Sequence, residues 1–334
     1  MGCAVSRFRA GIIGFGYTGR LHHIAYERAG AEVVAIADPN PRLEIPSKVR
    51  RFASTEDLLS FDLDVVSICV PNALHCDAAI AALRAGKHVL LEKPIAVNLD
   101  QANRMIDEAE RTGRTLFVGM THRFYPELIA AREAVARGEI GEVVAITDCI
   151  YEHFGFLDSP RWYLDRESAG GGTVLSSGIH LVDRVLWFMG DRVEAVWGSA
   201  SNPFFGKSVE DCAQMSLRFA SGKTAQIAFG LLREPAPLTC RLTVIGTEGM
   251  IVVDTWKGWR VHSSRRNEVH DIYLDESHQH KVLVGLEGEI TEFFEAIEQG
   301  RAPSPPASES VRALAVVMAF YRAAEARTCE WTAV

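Results

Sequence analysis

Two hydrophobic rhythms divide this chain. In the first 120 residues, short apolar runs alternate with longer stretches of helical spacing. Arg9–Gly14 reads as a strand, Tyr17–Ala29 as a helix stopped by Gly30, and Glu32–Ala37 as a second strand closed by Asp38-Pro39. Ser54 is placed to cap a short helix over Thr55–Ser60, with Asp57 in the capping-box position. Val65–Val70 is a further buried strand, ended by Pro71-Asn72, and a helix follows over Ala73–Ala85. Then come the strand His88–Leu91, a helix capped by Asn98 and ended by Gly113, and the strand Leu116–Met120. Strand and helix in regular alternation predict a parallel sheet with helices on both faces.

Beyond residue 122 the rhythm changes. After a helix over Pro126–Arg137, six strand-like runs are predicted: Val143–Ile150, Val193–Ser201, Cys212–Phe219, Thr224–Leu231, Cys240–Ile245 and Met250–Asp254. Turn pairs such as Ser221-Gly222 and Glu248-Gly249 join several of them, which predicts a mainly antiparallel sheet. Two helices close the chain, Leu286–Gln299 and Ser308–Ala326, separated by the proline-rich Pro303–Pro306. The fold class expected is therefore α/β: a doubly wound parallel domain over residues 1–122 and a second α/β domain with an open, mainly antiparallel sheet over 123–334. The last helix is expected to pack back on the first domain.

Composition narrows the function classes. A chain of 334 residues with 48% hydrophobic and 23% charged residues matches ordinary globular proteins. A net charge of −8 argues against a nucleic-acid partner, because phosphate binding needs clustered Lys and Arg. No apolar run has membrane-spanning length. The seven cysteines form no C-x-x-C pair, so neither a disulfide framework nor a metal site is expected, and a reducing cytoplasm is the natural compartment. Met1-Gly2-Cys3-Ala4-Val5-Ser6 matches a permissive N-myristoylation pattern, but the first strand begins so soon after it that chance is the better reading.

The glycine-rich turn Gly14-Phe15-Gly16-Tyr17-Thr18-Gly19 stands between a strand and a helix. In that context Gly14 permits the tight turn, Gly16 lets the backbone approach a pyrophosphate, and Gly19 lets helix and strand pack closely. The phosphates would sit on the helix N-terminus, whose free N–H groups favour anions. Asp38 ends the second strand, where a carboxylate would accept hydrogen bonds from an adenosine ribose. It would repel a 2′-phosphate, so NAD is expected, and the nearby Arg42 leaves NADP open.

Glu92-Lys93-Pro94 closes a buried strand on the side where open α/β sheets place their ligands. Lys93 is the first candidate for chemistry there: an ammonium can bind a hydroxyl, stabilise an alkoxide or relay a proton. The second cluster is Gly170-Gly171-Gly172 followed by Ser176, His180 and Asp183. Three glycines are expected to bring backbone close to a ligand, and the spacing of the three polar residues predicts one helical face. His180 is a candidate general base toward an alcohol.

The ordered set Gly14–Gly19, Asp38, Pro71-Asn72, Glu92-Lys93-Pro94, Arg123-Phe124-Tyr125-Pro126 and Gly170–Asp183 resembles the glucose-fructose oxidoreductase/inositol dehydrogenase (Gfo/Idh/MocA) family over nearly the whole chain. The resemblance implies a Rossmann domain, a second domain whose sheet builds homodimers or homotetramers, and NAD(P)-dependent redox chemistry at a hydroxyl-bearing carbon of a sugar or cyclitol. It implies Lys93 and His180 as catalytic residues and a cis peptide before Pro94. It also implies cofactor contacts from Phe15, Tyr17, Thr18, Pro71, Asn72, His75, Glu92 and Arg123.

One departure stands out. Many dehydrogenases of this family carry Asp one turn before the histidine, where this chain has Ser176. Ser can hydrogen-bond to the imidazole but supplies no charge, so His180 is expected to be a weaker base. Tyr151, Arg161 and Trp162 are further candidates for a sugar pocket, with stacking by Trp and hydrogen bonds from Arg. The competing readings are a dinucleotide-binding regulator without turnover and an NAD-dependent glycosidase of the same fold.

Overall fold

The computed structural model describes residues 8–154, 161–235, 237–255, 257–263, 267–271 and 278–332. The acylation pattern at the N-terminus lies outside them. The chain divides into two compact units: one formed by residues up to Met120 together with Val282–Val311, the other by Thr121–Lys281 together with Arg312 onward.

The first unit is built on strands β1 (Arg9–Ile13), β2 (Glu32–Ala37), β3 (Arg50–Phe52), β4 (Val65–Ile68), β5 (His88–Leu91) and β6 (Leu116–Val118). They pair in parallel in the order β3-β2-β1-β4-β5-β6. This is the doubly wound order whose direction reverses between β1 and β4, which places the ligand crevice at the carboxyl ends of those strands. Helices α1 (Tyr17–Arg28), α2 (Thr55–Leu59), α3 (His75–Arg84) and α4 (Leu99–Thr112) make the crossovers. The predicted caps are present: Ser54 accepts from the Asp57 N–H, Asn98 accepts from the Gln101 N–H, and Gly113 ends α4 in the left-handed conformation. β3 escaped the sequence reading because Arg-Arg-Phe is a three-residue edge strand with little burial to mark it.

Helix α8 (His278–Gln299) starts eight residues before the expected Leu286. From Val282 on it belongs to the first unit, where Phe294 stacks on Phe8 at 4.4 Å and Phe293 on Phe117 at 6.2 Å. The return to the first unit is thus made by α8. The last helix, α9 (Ala307–Ala326), belongs from Arg312 onward to the second unit. The boundary expected at residue 122 falls at Met120, and the second unit is interrupted by Val282–Val311. Sequence pattern shows that an amphipathic helix forms but not which sheet buries its apolar face.

The second unit contains α5 (Pro126–Ala136), β7 (Val143–His153), α6 (Arg166–Ala169), α7 (Ile179–Met189), β8 (Val193–Ser201), β9 (Cys212–Phe219) and β10 (Thr224–Leu232). Beyond these come β11 (Thr239–Gly246), β12 (Gly249–Asp254), β13 (Gly258–Ser263), β14 (Asn267–Asp271) and β15 (Glu330–Trp331). Among the described residues the sheet runs β14-β13-β12-β11-β7-β10-β9-β8-β15, antiparallel except where β10 lies parallel to β7. Strict alternation sends Ile146, Asp148 and Ile150 of β7 to the buried face, while Thr147 and Tyr151 point the other way. α7 lies on the buried face, and all its residues except Trp187 are buried. It is pinned there by Arg184, which forks onto Asp148 of β7 and donates to Thr255 Oγ1 at 3.1 Å. Arg184 and Asp148 have fully buried side chains, so each charge depends on the other for compensation.

Candidate active site

The glycine turn fits a dinucleotide. Gly14 sits at φ 87°, a conformation L-residues rarely adopt, and a side chain there would come within 2.6 Å of the Cys69 carbonyl. A Cβ on Gly19 would overlap the Gly14 carbonyl, so only glycine lets α1 close on β1. Gly16 is different: a Cβ there would meet nothing within 4 Å. That space lies at the N-cap of α1, whose first turn carries no acid and no side-chain cap, so its N–H groups are available to an anion. Tyr17 and Thr18 open the helix, and Tyr17 is exposed.

Asp38 stands at the end of β2 as expected, and it also shapes the turn. Its Oδ2 accepts from the Phe15 N–H at 2.8 Å and its Oδ1 from Asn40 N–H at 2.9 Å. Asp38 and the glycine turn that leads into α1 are therefore one hydrogen-bonded piece. Bound NAD would be held by this piece through Gly14–Gly19 and Asp38.

Glu92-Lys93-Pro94 is braced from beneath by a buried polar chain that sequence reading missed. His22, on α1 and fully buried, places Nε2 at 2.9 Å from Glu92 Oε1 and Nδ1 at 3.0 Å from Ser67 Oγ. Tyr26 Oη lies 2.7 Å from the same Ser67 Oγ. One assignment satisfies every atom: Tyr26 donates to Ser67, Ser67 to His22 Nδ1, and His22 Nε2–H to the Glu92 carboxylate. The second Glu92 oxygen accepts from the Lys93 backbone N–H at 3.2 Å, which ties the two residues together. Burial pushes the Glu92 carboxyl up, but the His22 hydrogen bond and the neighbouring positive charge of Lys93 help outweigh it and leave it below its ordinary value.

The Lys93–Pro94 peptide is cis. His75 spans the adjacent loops, with Nδ1 2.8 Å from the Pro94 carbonyl and Nε2 3.0 Å from the Val70 carbonyl. It is buried, and burial lowers its pKa against the pull of those two carbonyls. His75 thus braces the ends of β4 and β5, with both ring nitrogens turned to protein. Asn72 is buried in the short 3-10 helix Asn72–Leu74, with Pro71 at its N-terminal boundary.

In the second unit His180 opens α7 and is 7% exposed. The helix begins at Ile179, so Ser176 lies in the preceding turns, where its N–H donates to the Gly172 carbonyl at 2.9 Å. The expectation that Ser176, His180 and Asp183 share one helical face fails for Ser176, because Gly178 caps the helix after it.

The three glycines serve packing rather than an open cradle. Gly170 ends α6 in the left-handed region at φ 80°. A Cβ on Gly171 would overlap the Tyr321 hydroxyl, and one on Gly172 the Glu210 carbonyl. The Glu210 carboxylate then collects the turn: it accepts from the Gly172 and Val174 N–H groups at 3.0 Å and from Tyr321 Oη at 2.8 Å. Burial raises the Glu210 pKa against these donors.

Arg123 donates through Nε to Asp183 Oδ2 at 2.8 Å and through Nη2 to Oδ1 at 2.7 Å, and its guanidinium lies 5.3 Å from the Trp187 ring centroid. That fork ties the Arg123 side chain to α7. Beside this pair, His122 stacks on His180 with centroids 4.1 Å apart and planes 11° from parallel.

Tyr151 lies within β7 rather than after it and points to the face opposite α7, so it does not join His180. Arg161 and Trp162 sit in the short 3-10 helix Arg161–Leu164, where Trp162 stacks on Tyr163 at 3.9 Å. Lys93 belongs to the first unit and His180 to the second.

Comparison with known proteins places this architecture. The family model described as an oxidoreductase family with an NAD-binding Rossmann fold matches residues 8–120. The Gfo/Idh/MocA C-terminal domain matches 128–252. The chain is 32% identical to 1,5-anhydro-D-fructose reductase of Ensifer adhaerens, over 81% of this chain and 80% of that one. It is 28% identical to inositol 2-dehydrogenase of Rhizobium meliloti, over 94% and 96% of the two chains. The solved structure of levoglucosan dehydrogenase in complex with NADH and levoglucosan superposes with a TM-score of 0.84 at 22% identity, covering 97% of this chain and 98% of that one. On this evidence the chain belongs to the Gfo/Idh/MocA family of oxidoreductases, built on an NAD-binding Rossmann domain.

Proposed function

We propose that this protein is an NAD-dependent dehydrogenase that oxidises, or in reverse forms, a hydroxyl-bearing carbon of a sugar, cyclitol or related polyol. The observation that carries the reading is the turn fitted to a dinucleotide in the first unit, crowded at Gly14 and Gly19 and open at Gly16. Relatives named for inositol and anhydrofructose as substrates support the polyol class.

When bound, NAD supplies the hydride acceptor. In the oxidative direction His180 takes the proton as the substrate O–H bond breaks. The C–H hydrogen leaves with its electron pair, and the C–O bond becomes C=O. Lys93, held by Glu92, donates a hydrogen bond to the substrate oxygen and steadies its developing charge. Asp38 favours NAD over NADP by charge. Arg161 and Trp162 are proposed substrate contacts.

We further propose a homodimer or homotetramer in the cytoplasm. The open face of the second sheet supports the assembly: it carries exposed Tyr151 and Trp197 and a depression of about 350 Å³ lined by Thr147, Gln214, Gln226 and Arg241. Six cysteines among the described residues are free, which suits a reducing compartment.

The test is absorbance at 340 nm with NAD or NADP and a panel of sugars, inositols and sugar acids, for the parent and for Lys93→Met. NADH growth that Lys93→Met abolishes, with NAD binding retained, is expected. Full activity of that variant would remove Lys93 from the chemistry.

A further inference from the structure

We propose that His122 is a positioning residue for His180, and that the two stacked imidazoles act as a pair holding one proton between them. The proposal deepens the dehydrogenase reading and rests on its assignment of His180 as the base.

The geometry is specific. The rings lie 4.1 Å apart and 11° from parallel, with 6% of His122 and 7% of His180 exposed. A neutral imidazole face beside an imidazolium attracts it, as aromatic faces attract cations. Two imidazoliums at that separation repel, and burial leaves little water to screen them. The stack therefore accepts a first proton and resists a second.

The stack is also held from both sides. Arg123 follows His122 and Asp183 lies three residues after His180, and their two-point fork locks the short helix Thr121–Phe124 to α7. The titratable and charged groups on the packed elements are Arg123 and Tyr125 beside His122, Glu127, Arg132 and Glu133 on α5, Asp183 and Arg184 on α7, and Asp148 and Glu152 on the α7 side of β7. Arg123 is paired with Asp183, and Arg184 with Asp148. β10 brings no ionisable side chain.

This arrangement answers the question raised by Ser176. A carboxylate one turn before the histidine would stabilise the imidazolium by charge. This chain has a neutral hydroxyl there and a second imidazole against the ring instead. His122 would spread the charge once the substrate proton arrives on the neutral pair. The proton taken from the alcohol stays on the pair until it passes to solvent.

The experiment has two readouts on the full-length protein. Histidine ring-proton NMR is followed against pH in the parent, His122→Phe and His180→Phe, and kcat/KM against pH in the parent and His122→Phe. Phe keeps an aromatic face and removes the titration. In the parent, each of the two rings should titrate in two steps, because the macroscopic pKa values belong to the pair. Each single variant should show one ordinary step for the ring that remains. In kcat/KM the parent should lose about twofold at the first protonation, since two rings share that proton, and fall steeply only at the second. His122→Phe should lose about tenfold per pH unit from the first.

Independent, complete protonation of both parent rings near the ordinary histidine value of about 6.5 would overturn the proposal. So would a two-step limb that persists in His122→Phe. If His122→Phe fails to fold, the parent titration alone decides. Coupled titration without turnover on any substrate would uphold the pair and reject the dehydrogenase reading.

Discussion

Arg123 and Asp183 stand sixty residues apart in sequence, yet they meet side by side, Nε to Oδ2 at 2.8 Å and Nη2 to Oδ1 at 2.7 Å. Their side chains are 8% and 1% exposed, so the fork is an internal clamp and not a surface ion pair. Asp183→Leu should cost about 3–5 kcal/mol in urea unfolding, because it strands a buried guanidinium. Arg123→Leu combined with Asp183→Leu should recover much of that, because two apolar side chains leave no uncompensated charge. If the double variant is no more stable than the single one, the clamp is not the source of the loss.

Glu210 ties the triple glycine to α9 through Tyr321. Tyr321→Phe removes one donor to a buried carboxylate and should destabilise by about 1.5–3 kcal/mol. Because the turn leads into His180, kcat should fall more than NADH affinity. Calorimetry and steady-state kinetics on the same preparation check both, and equal losses in kcat and NADH binding would point to a global effect instead.

Two glycines of the cofactor turn should respond in opposite ways. Gly16→Ala adds a methyl into open space at φ −70°, so stability should change by no more than about 0.5 kcal/mol. That space is where a pyrophosphate would rest, so NADH affinity, read by fluorescence titration, should weaken by about tenfold or more, equal to at least about 1.4 kcal/mol. Gly19→Ala drives a methyl into the Gly14 carbonyl and should cost at least about 1–3 kcal/mol before any ligand is added.

Acid should weaken the first unit in two stages. Burial holds the His75 pKa below its ordinary 6.5, so its stabilising contribution is complete above that pH and is lost as pH falls from 6.5 through the folded value. Glu92 is held below its ordinary 4.5, so its contribution is complete above 4.5 and is lost at still lower pH. Unfolding free energy followed from pH 8 to 4 should decline below 6.5, and His75→Gln should flatten that first stage. An unchanged slope in the variant would assign the decline to another group.

Much of the fold was legible because its signals are local. Val193–Ser201 and Cys212–Phe219 form with the bounds that alternation predicted, and Ser54 and Asn98 cap as their spacing implied. β13 and β14 were not, since Gly258–Ser263 and Asn267–Asp271 mix polar and charged residues among few apolar ones. The glycine turn was legible because such a turn needs set residue types at set intervals along one strand–helix unit, and Asp38 and Glu92-Lys93-Pro94 because each closes a strand-like run.

Sequence by itself determined the doubly wound order's raw material, the cofactor turn and the identity of the residues offered for chemistry. Tertiary structure alone decided their surroundings. His22 under Glu92, Glu210 on the triple glycine and His122 on His180 join positions 70, 38 and 58 residues apart. No periodicity relates such partners, because hydrogen bonds and ring stacks form between whatever the packed backbone brings within about 3–4 Å. The same limit explains why three glycines that suggested a ligand cradle proved to be crowded by Tyr321 and Glu210. A missing side chain marks a close approach, and only the folded chain shows what approaches.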